Sequence, residues 1–171
     1  MKLHSLFSDH AVLQRHQPIP VWGWTKPGVR VRVSLAGVVA ETMADAHGAF
    51  MLRLPALPAG GPHVLAVTSN DKAESCIVSD ILIGEVWVCS GQSNMQWSMA
   101  ISQPDPDPKD FPTLRMFNAQ NSIVAERAPE PIGSWKVATQ ANVADFSAVG
   151  YFFARSLTEA LKVPVGMVNT A

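Results

Sequence analysis

Cysteine is nearly absent. Cys76 and Cys89 are the only thiols among 171 residues, too few for a disulfide framework and without the Cys-x-x-Cys spacing of metal or redox chemistry. Both read as small apolar residues. An excess of charge of either sign is missing too: 13 basic residues stand against 14 acidic ones. No Lys/Arg cluster could track a phosphate backbone, which argues against nucleic acid as a partner. No apolar run approaches the roughly 20 residues needed to cross a bilayer, so no membrane span is expected. Met1-Lys2-Leu3-His4-Ser5 has no hydrophobic signal core. The chain reads as soluble, periplasmic or secreted if an export signal was removed and cytoplasmic otherwise.

What is present is enough apolar material, 47% of residues with 16% charged, to close a packed core. Residues 1–80 read as one domain of short strands. Val29, Val31, Val33 and Leu35 alternate with Arg30, Arg32 and Ser34, and Phe50, Leu52 and Leu54 repeat the pattern, as in strands with one buried face. Further strands fit 20–24, 38–43, 64–68 and 75–79. Turn chemistry separates them at Lys26-Pro27-Gly28, Asp45-Ala46-His47-Gly48, Pro58-Ala59-Gly60-Gly61-Pro62 and Ser69-Asn70-Asp71. Strands at this spacing predict a small β-sandwich.

Residues 81–171 read as the start of a second, α/β domain. Ile81 to Cys89 is nearly continuous in apolar residues, as for a parallel strand covered on both faces. Phe146, Val149, Phe153, Leu157 and Leu161 predict a helix laying that stripe on the sheet, with Asp145 or Ser147 as N-cap. Val163 to Val168 reads as the next strand. Between them, 103–140 reads as long loops with one short strand at Leu114 to Phe117.

The chemistry concentrates in Ser90-Gly91-Gln92-Ser93-Asn94-Met95. A serine where a parallel strand gives way to a helix sits at the carboxyl edge of the sheet, where α/β proteins build their sites. Gly91 lets the backbone turn sharply, and the amides of the next turn point at a developing negative charge. On pattern alone, Ser93 or Asn94 serves equally well as a helix N-cap. Met95 replaces the last glycine of a Gly-x-Ser-x-Gly elbow, which argues against the common α/β-hydrolase fold.

Four blocks carry a resemblance: Leu6-Phe7-Ser8-Asp9-His10-Ala11-Val12-Leu13-Gln14-Arg15, Pro18-Ile19-Pro20-Val21-Trp22-Gly23-Trp24, the run Gly84-Glu85-Val86-Trp87-Val88-Cys89-Ser90-Gly91-Gln92-Ser93-Asn94-Met95, and Phe146-Ser147-Ala148-Val149-Gly150-Tyr151-Phe152-Phe153-Ala154-Arg155. Together they resemble the sialate O-acetylesterase family of SGNH-type hydrolases. The resemblance implies a jelly-roll or Ig-like β-sandwich attached to a flavodoxin-like catalytic domain. It implies a serine esterase releasing acetate from O-acetylated sugars such as 9-O-acetyl sialic acid. Ser93 would be the nucleophile, with Gln92 and Asn94 at the substrate and no metal or cofactor. The family has Glu and Pro where this chain has Gln96 and Ser98, and it continues past Val168-Asn169-Thr170-Ala171 into a Trp-Gly-Gly segment, an Asn-bearing block and an Asp-x-x-His that do not occur here.

A serine hydroxyl needs a positioned base. His4, His10, His16, His47 and His63 all precede Ser93, in segments that read as solvated loops, and none is a good candidate. Asp105, Asp107 and Asp110 lack the glycine and terminal glutamate of a calcium loop. An open sheet ending on an interior strand also calls for a C-terminal portion, or a second chain, to complete it. The competing reading is a non-catalytic carbohydrate-binding or interaction module using Trp22, Trp24 and Trp97, which core packing would explain equally well.

Overall fold

The computed structural model describes residues 1–70, 74–102, 105, 107, 109–119 and 130–171. The strands β1 (Lys2–Leu3), β2 (Val12–Gln14), β3 (Ile19–Trp24), β4 (Arg30–Leu35), β5 (Val38–Met43), β6 (Ala49–Leu54) and β7 (Gly60–Ser69) lead into the long β8 (Ser75–Cys89). A single helical turn, α1 (Ser93–Gln96), follows, then β9 (Phe111–Ala119), β10 (Gly133–Ala138), helix α2 (Ala148–Leu161) and β11 (Val165–Asn169). β1, β3 and β6 form a three-stranded sheet; the other strands form an eight-stranded one in the order β10-β9-β11-β8-β7-β4-β5, with β2 beside β8.

The period-2 segments do what their spacing dictates. Val31, Val33 and Leu35 of β4 and Phe50, Leu52 and Leu54 of β6 are buried in one core shared by the two sheets, while Arg30 and Arg32 face outward and pair with Glu41. The six strands expected before residue 80 are all present, joined by two short ones, β1 and β2. The turn read at 58–62 is a correction: β7 begins at Gly60 and runs through Gly61 and Pro62 with two register shifts against β8, which absorb the irregular backbone. Of the turn at Ser69-Asn70-Asp71, Asp71 lies outside the described residues, as do 103, 104, 106, 108 and 120–129 of the long segment.

β8 joins the two halves. Its first part pairs antiparallel with β7, residues 82–84 pair parallel with β2, and residues 85–89 pair parallel with β11. The bend comes at Asp80, whose φ of 55° lies in the left-handed region that Asp tolerates better than most residues. A clasp holds it there: the Asp80 carboxylate accepts from Arg115 Nη1 at 2.8 Å and lies 2.6 Å from His10 Nδ1, and Arg115 also donates to the His10 and Pro112 carbonyls.

β11 lies between β8 and β9, parallel to both, so the segment read as a strand at 163–168 is interior to the sheet. Three readings of this half are corrected. β9 is longer than the strand read at 114–117, and β10, read as loop, pairs antiparallel with it and buries Trp135. α2 turns Ala148, Gly150, Tyr151 and Ala154 to the sheet, leaving Val149, Phe153 and Leu161 of the expected stripe exposed. Small residues win that face because they let the helix come close: a Cβ on Gly150 would lie 3.1 Å from Cys89 Sγ and 3.2 Å from Met116 Cε. Finally, β8 is not covered on both faces along its length. α2 lies over β11 and β9, so Trp87 and Val88 remain 44% and 68% exposed.

Candidate functional site

The segment after β8 is built by its neighbours. Thr170 donates its amide to Cys89 O at 2.8 Å, aligning the ends of β11 and β8. Ser90, Gly91 and Gln92 then turn the chain into α1, where the amides of Met95 and Gln96 both donate to Gln92 O and that of Trp97 to Ser93 O. Gly91 eases the close approach, since a Cβ there would sit 3.3 Å from Met95 Cβ, a tight contact. Met95 packs against a separate core that includes Met116, Phe146, Tyr151 and Met167 and takes a contact from the Ser147 hydroxyl, while Ala148 N donates to Trp97 O and Met99 N to Phe146 O. The turn carrying Ser93 is thereby pinned to the start of α2. Ser147 itself caps α2, its Oγ accepting from Gly150 N at 3.2 Å, which settles the choice between Asp145 and Ser147.

Ser93 is exposed at the carboxyl end of β8, in an open depression lined by Gly91, Gln92, Ser93, Asn94, Met95 and Val149. The N-cap reading of Ser93 and Asn94 does not hold: the N-cap is Gln92, and no side chain caps the turn. Among the described residues the Ser93 hydroxyl has no protein partner, and the amides of Ser93 and Asn94 donate to nothing. The side chains of Gln92 and Asn94 stand on either side of the hydroxyl along the chain. Val149, which the sequence reading assigned to the sheet-facing stripe, instead closes this depression. A free hydroxyl beside two free amides can present a nucleophile and the donors for the oxyanion it creates.

A base is what the depression lacks. No ionisable side chain lines it among the described residues. The five histidines lie elsewhere, in the first eighty residues. Two depart from the solvated-loop reading: His63 lies half-buried in β7, and His4 is buried, its ring 5.0 Å from that of Trp22, where burial pushes its pKa below the ordinary value. His10 is tied to Asp80.

The three aspartates weighed as a calcium loop are engaged by protein donors. Asp105 accepts from Tyr151 Oη at 2.8 Å and Arg155 Nη1 at 2.6 Å; Asp107 accepts from Arg155 and Lys109, and Asp110 from Gln140 N. Burial pushes Tyr151 up to about 12, and the adjacent Asp105 carboxylate adds to the shift. This cluster, buried at Tyr151, largely buried at the Asp105 and Arg155 side chains and missed by the sequence reading, borders a second depression of about 310 Å³ beyond Met99. Among the described residues no serine, threonine or cysteine lines it. Among the described residues no group of three His, Cys, Asp or Glu side chains is placed to hold a metal ion, and no helix is long and apolar enough to cross a membrane.

No family model matches the chain. It is 28% identical to the sialate O-acetylesterase of Mus musculus over 188 residues, covering 98% of this chain and 35% of that protein. The sialate O-acetylesterase of Homo sapiens is likewise 28% identical, over 189 residues and 36% of its length. Among solved structures, a carbohydrate acetylesterase from Xanthomonas citri superimposes with a TM-score of 0.89 at 41% identity, over 98% of this chain and 39% of that one. The class these relatives define is that of carbohydrate esterases. Within it, the chain is similar over 98% of its length to sialate O-acetylesterases, and it spans about a third of the length of the curated relatives it matches.

Proposed function

We propose that this chain is the nucleophile-bearing portion of a serine esterase that releases acetate from O-acetylated sugars, 9-O-acetyl sialic acid among them. The observation that carries the reading is the placement of Ser93: exposed, at the end of a parallel strand, without a partner among the described residues and beside two amides that likewise have none, within the segment that resembles the family most specifically. Ser93 Oγ attacks the acetyl carbonyl carbon and loses its proton to a base. The amides of Ser93 and Asn94 contribute to holding the tetrahedral oxyanion, the sugar hydroxyl leaves with a proton, and water then frees acetate from the acyl-enzyme. Gln92 and Asn94 contact the sugar.

The base comes from outside residues 1–171. Two features support a completing portion. No histidine follows Ser93, and the exposed Trp87 and Val88 of β8, with Val149 and Phe153 of α2, form an apolar surface around the site that a further layer would cover. In this reading residues 1–80 are a β-sandwich domain and 81–171 open a flavodoxin-like SGNH domain, with β8 shared between them. The test is Ser93→Ala in the full-length protein. Hydrolysis of an aryl acetate should fall by at least about a thousandfold with folding unchanged. Retention of more than a few per cent of the rate would end the proposal.

A further inference from the structure

We propose that the outer face of the three-stranded sheet carries a second carbohydrate site, separate from Ser93, that holds one ring of a neutral pyranose oligosaccharide against Trp22 and Trp24. Ile19, Val21 and Gly23 of β3 turn inward, so the two tryptophans stand together on the opposite face. Register then decides what flanks them. Lys2, Trp24 and Ala49 form one row across β1, β3 and β6, and Trp22 lies opposite Met51. The Lys2 ammonium sits 5.9 Å from the centroid of the Trp24 ring on the β1 side. On the β6 side Ala49 is too small to cover the indole.

The outcome is a depression of about 240 Å³ bordered by Trp22, Trp24, Asp45, Ala49 and Met51. That is smaller than the roughly 300–1,000 Å³ of sites for drug-sized ligands and suits a single sugar ring. Its walls are braced: the Phe7 ring meets Trp22 edge-on at 4.6 Å, and His4 packs against both indoles. Rigid aromatic surface costs little order on binding. A pyranose offers an apolar C–H face to such a wall and hydroxyls at its rim.

Asp45 supplies the matching acceptor. Its Oδ1 accepts the amides of His47 at 2.8 Å and Ala49 at 2.9 Å, which fix the carboxylate and hold it below the ordinary carboxylate range, the Ala49 amide most of all. Oδ2 has no partner among the described residues and is open to sugar hydroxyls. The same charge selects against an anionic sugar, because Lys2 is already paired with Glu130. Two sites on one polypeptide would keep a long acetylated chain near Ser93, a role that rests on the proposed esterase activity, whereas the binding itself does not.

The test titrates the full-length protein with xylotetraose and cellotetraose, and with 3′-sialyllactose as the anionic comparator. At least one neutral tetrasaccharide should bind, with Trp24→Ala weakening it by about tenfold or more while aryl-acetate hydrolysis stays at the wild-type rate. Ser93→Ala should bind as tightly as wild type. If Trp24→Ala does not fold, Asp45→Asn keeps an acceptor for the two amides and should lose affinity to a similar degree. The proposal is overturned if neither neutral sugar binds at about 20 mM, if Trp24→Ala and Asp45→Asn leave the affinity unchanged, or if sialyllactose binds as well as the neutral sugars. Loss of hydrolysis in wild type with binding intact would sink the esterase reading and leave this one standing.

Discussion

Replacing Asp80 by Asn tests the clasp that bends β8 toward the site. The substitution is conservative for the backbone, because Asn accepts the left-handed conformation as readily as Asp, so the φ of 55° adds little cost. What changes is the partner of Arg115, a guanidinium only 4% exposed. Leaving a fully buried charge unpaired costs about 3–5 kcal/mol. Here the Asp80 side chain is 32% exposed and water screens the pair. Asn also retains one acceptor, so about 2 kcal/mol is the better figure. Arg115→Met should cost less, about 1 kcal/mol, since it removes the buried charge and leaves a carboxylate that water can solvate. Urea denaturation reads both as shifts in midpoint at constant slope.

The pH dependence has a definite sign. Arg115 first, then His10, holds the Asp80 carboxyl below the ordinary range against the opposing effect of burial. A depressed carboxyl contributes stability above its unfolded pKa of about 4 and loses it as pH falls through the folded value. The gap between wild type and Asp80→Asn should therefore be full at neutral pH and close in acid. If Arg115→Met proves more damaging than Asp80→Asn, or the gap is independent of pH, the clasp acts by packing and the electrostatic account is wrong.

Two further outcomes follow from close contacts and burial. A Cβ on Gly84 would drive into the Pro164 carbonyl, so Gly84→Ala should destabilise the chain by about 3 kcal/mol in urea denaturation, and a neutral result would show that the Pro164 loop yields easily. Tyr151 is the one tyrosine of the sequence. A difference titration at 295 nm between the chain and Tyr151→Phe should show ionisation near 12, whereas a midpoint near 10 would mean that the phenol is solvated.

The parts of the fold legible in the sequence are those where side-chain alternation alone decides burial. Val31, Val33 and Leu35, or Phe50, Leu52 and Leu54, need no knowledge of the partner strand. β10 was not legible because its burial is created by pairing with β9, and Trp135 and Ala138 make a weak pattern by themselves. α2 misled because Val149 and Phe153 outrank Ala148, Gly150 and Ala154 in hydrophobicity, while close approach to the sheet demanded the small residues. Nor does composition reveal that Asp80 bends one long strand joining the two halves of the eight-stranded sheet, since that depends on a cation 35 residues away in β9. At the site, Gly91 and the apolar run before it locate Ser93. That Val149 lines the same depression emerges only from the fold.

The central claim, that Ser93 is the nucleophile of an acetyl-sugar esterase, is tested most directly by labelling the full-length protein with a serine-directed phosphonate and locating the adduct by peptide mass spectrometry. The account predicts one adduct, on the peptide containing Ser93, formed faster as pH rises through about 6 to 7 while a histidine base loses its proton. An adduct on another serine, with Ser93 unmodified in inactivated protein, would contradict it.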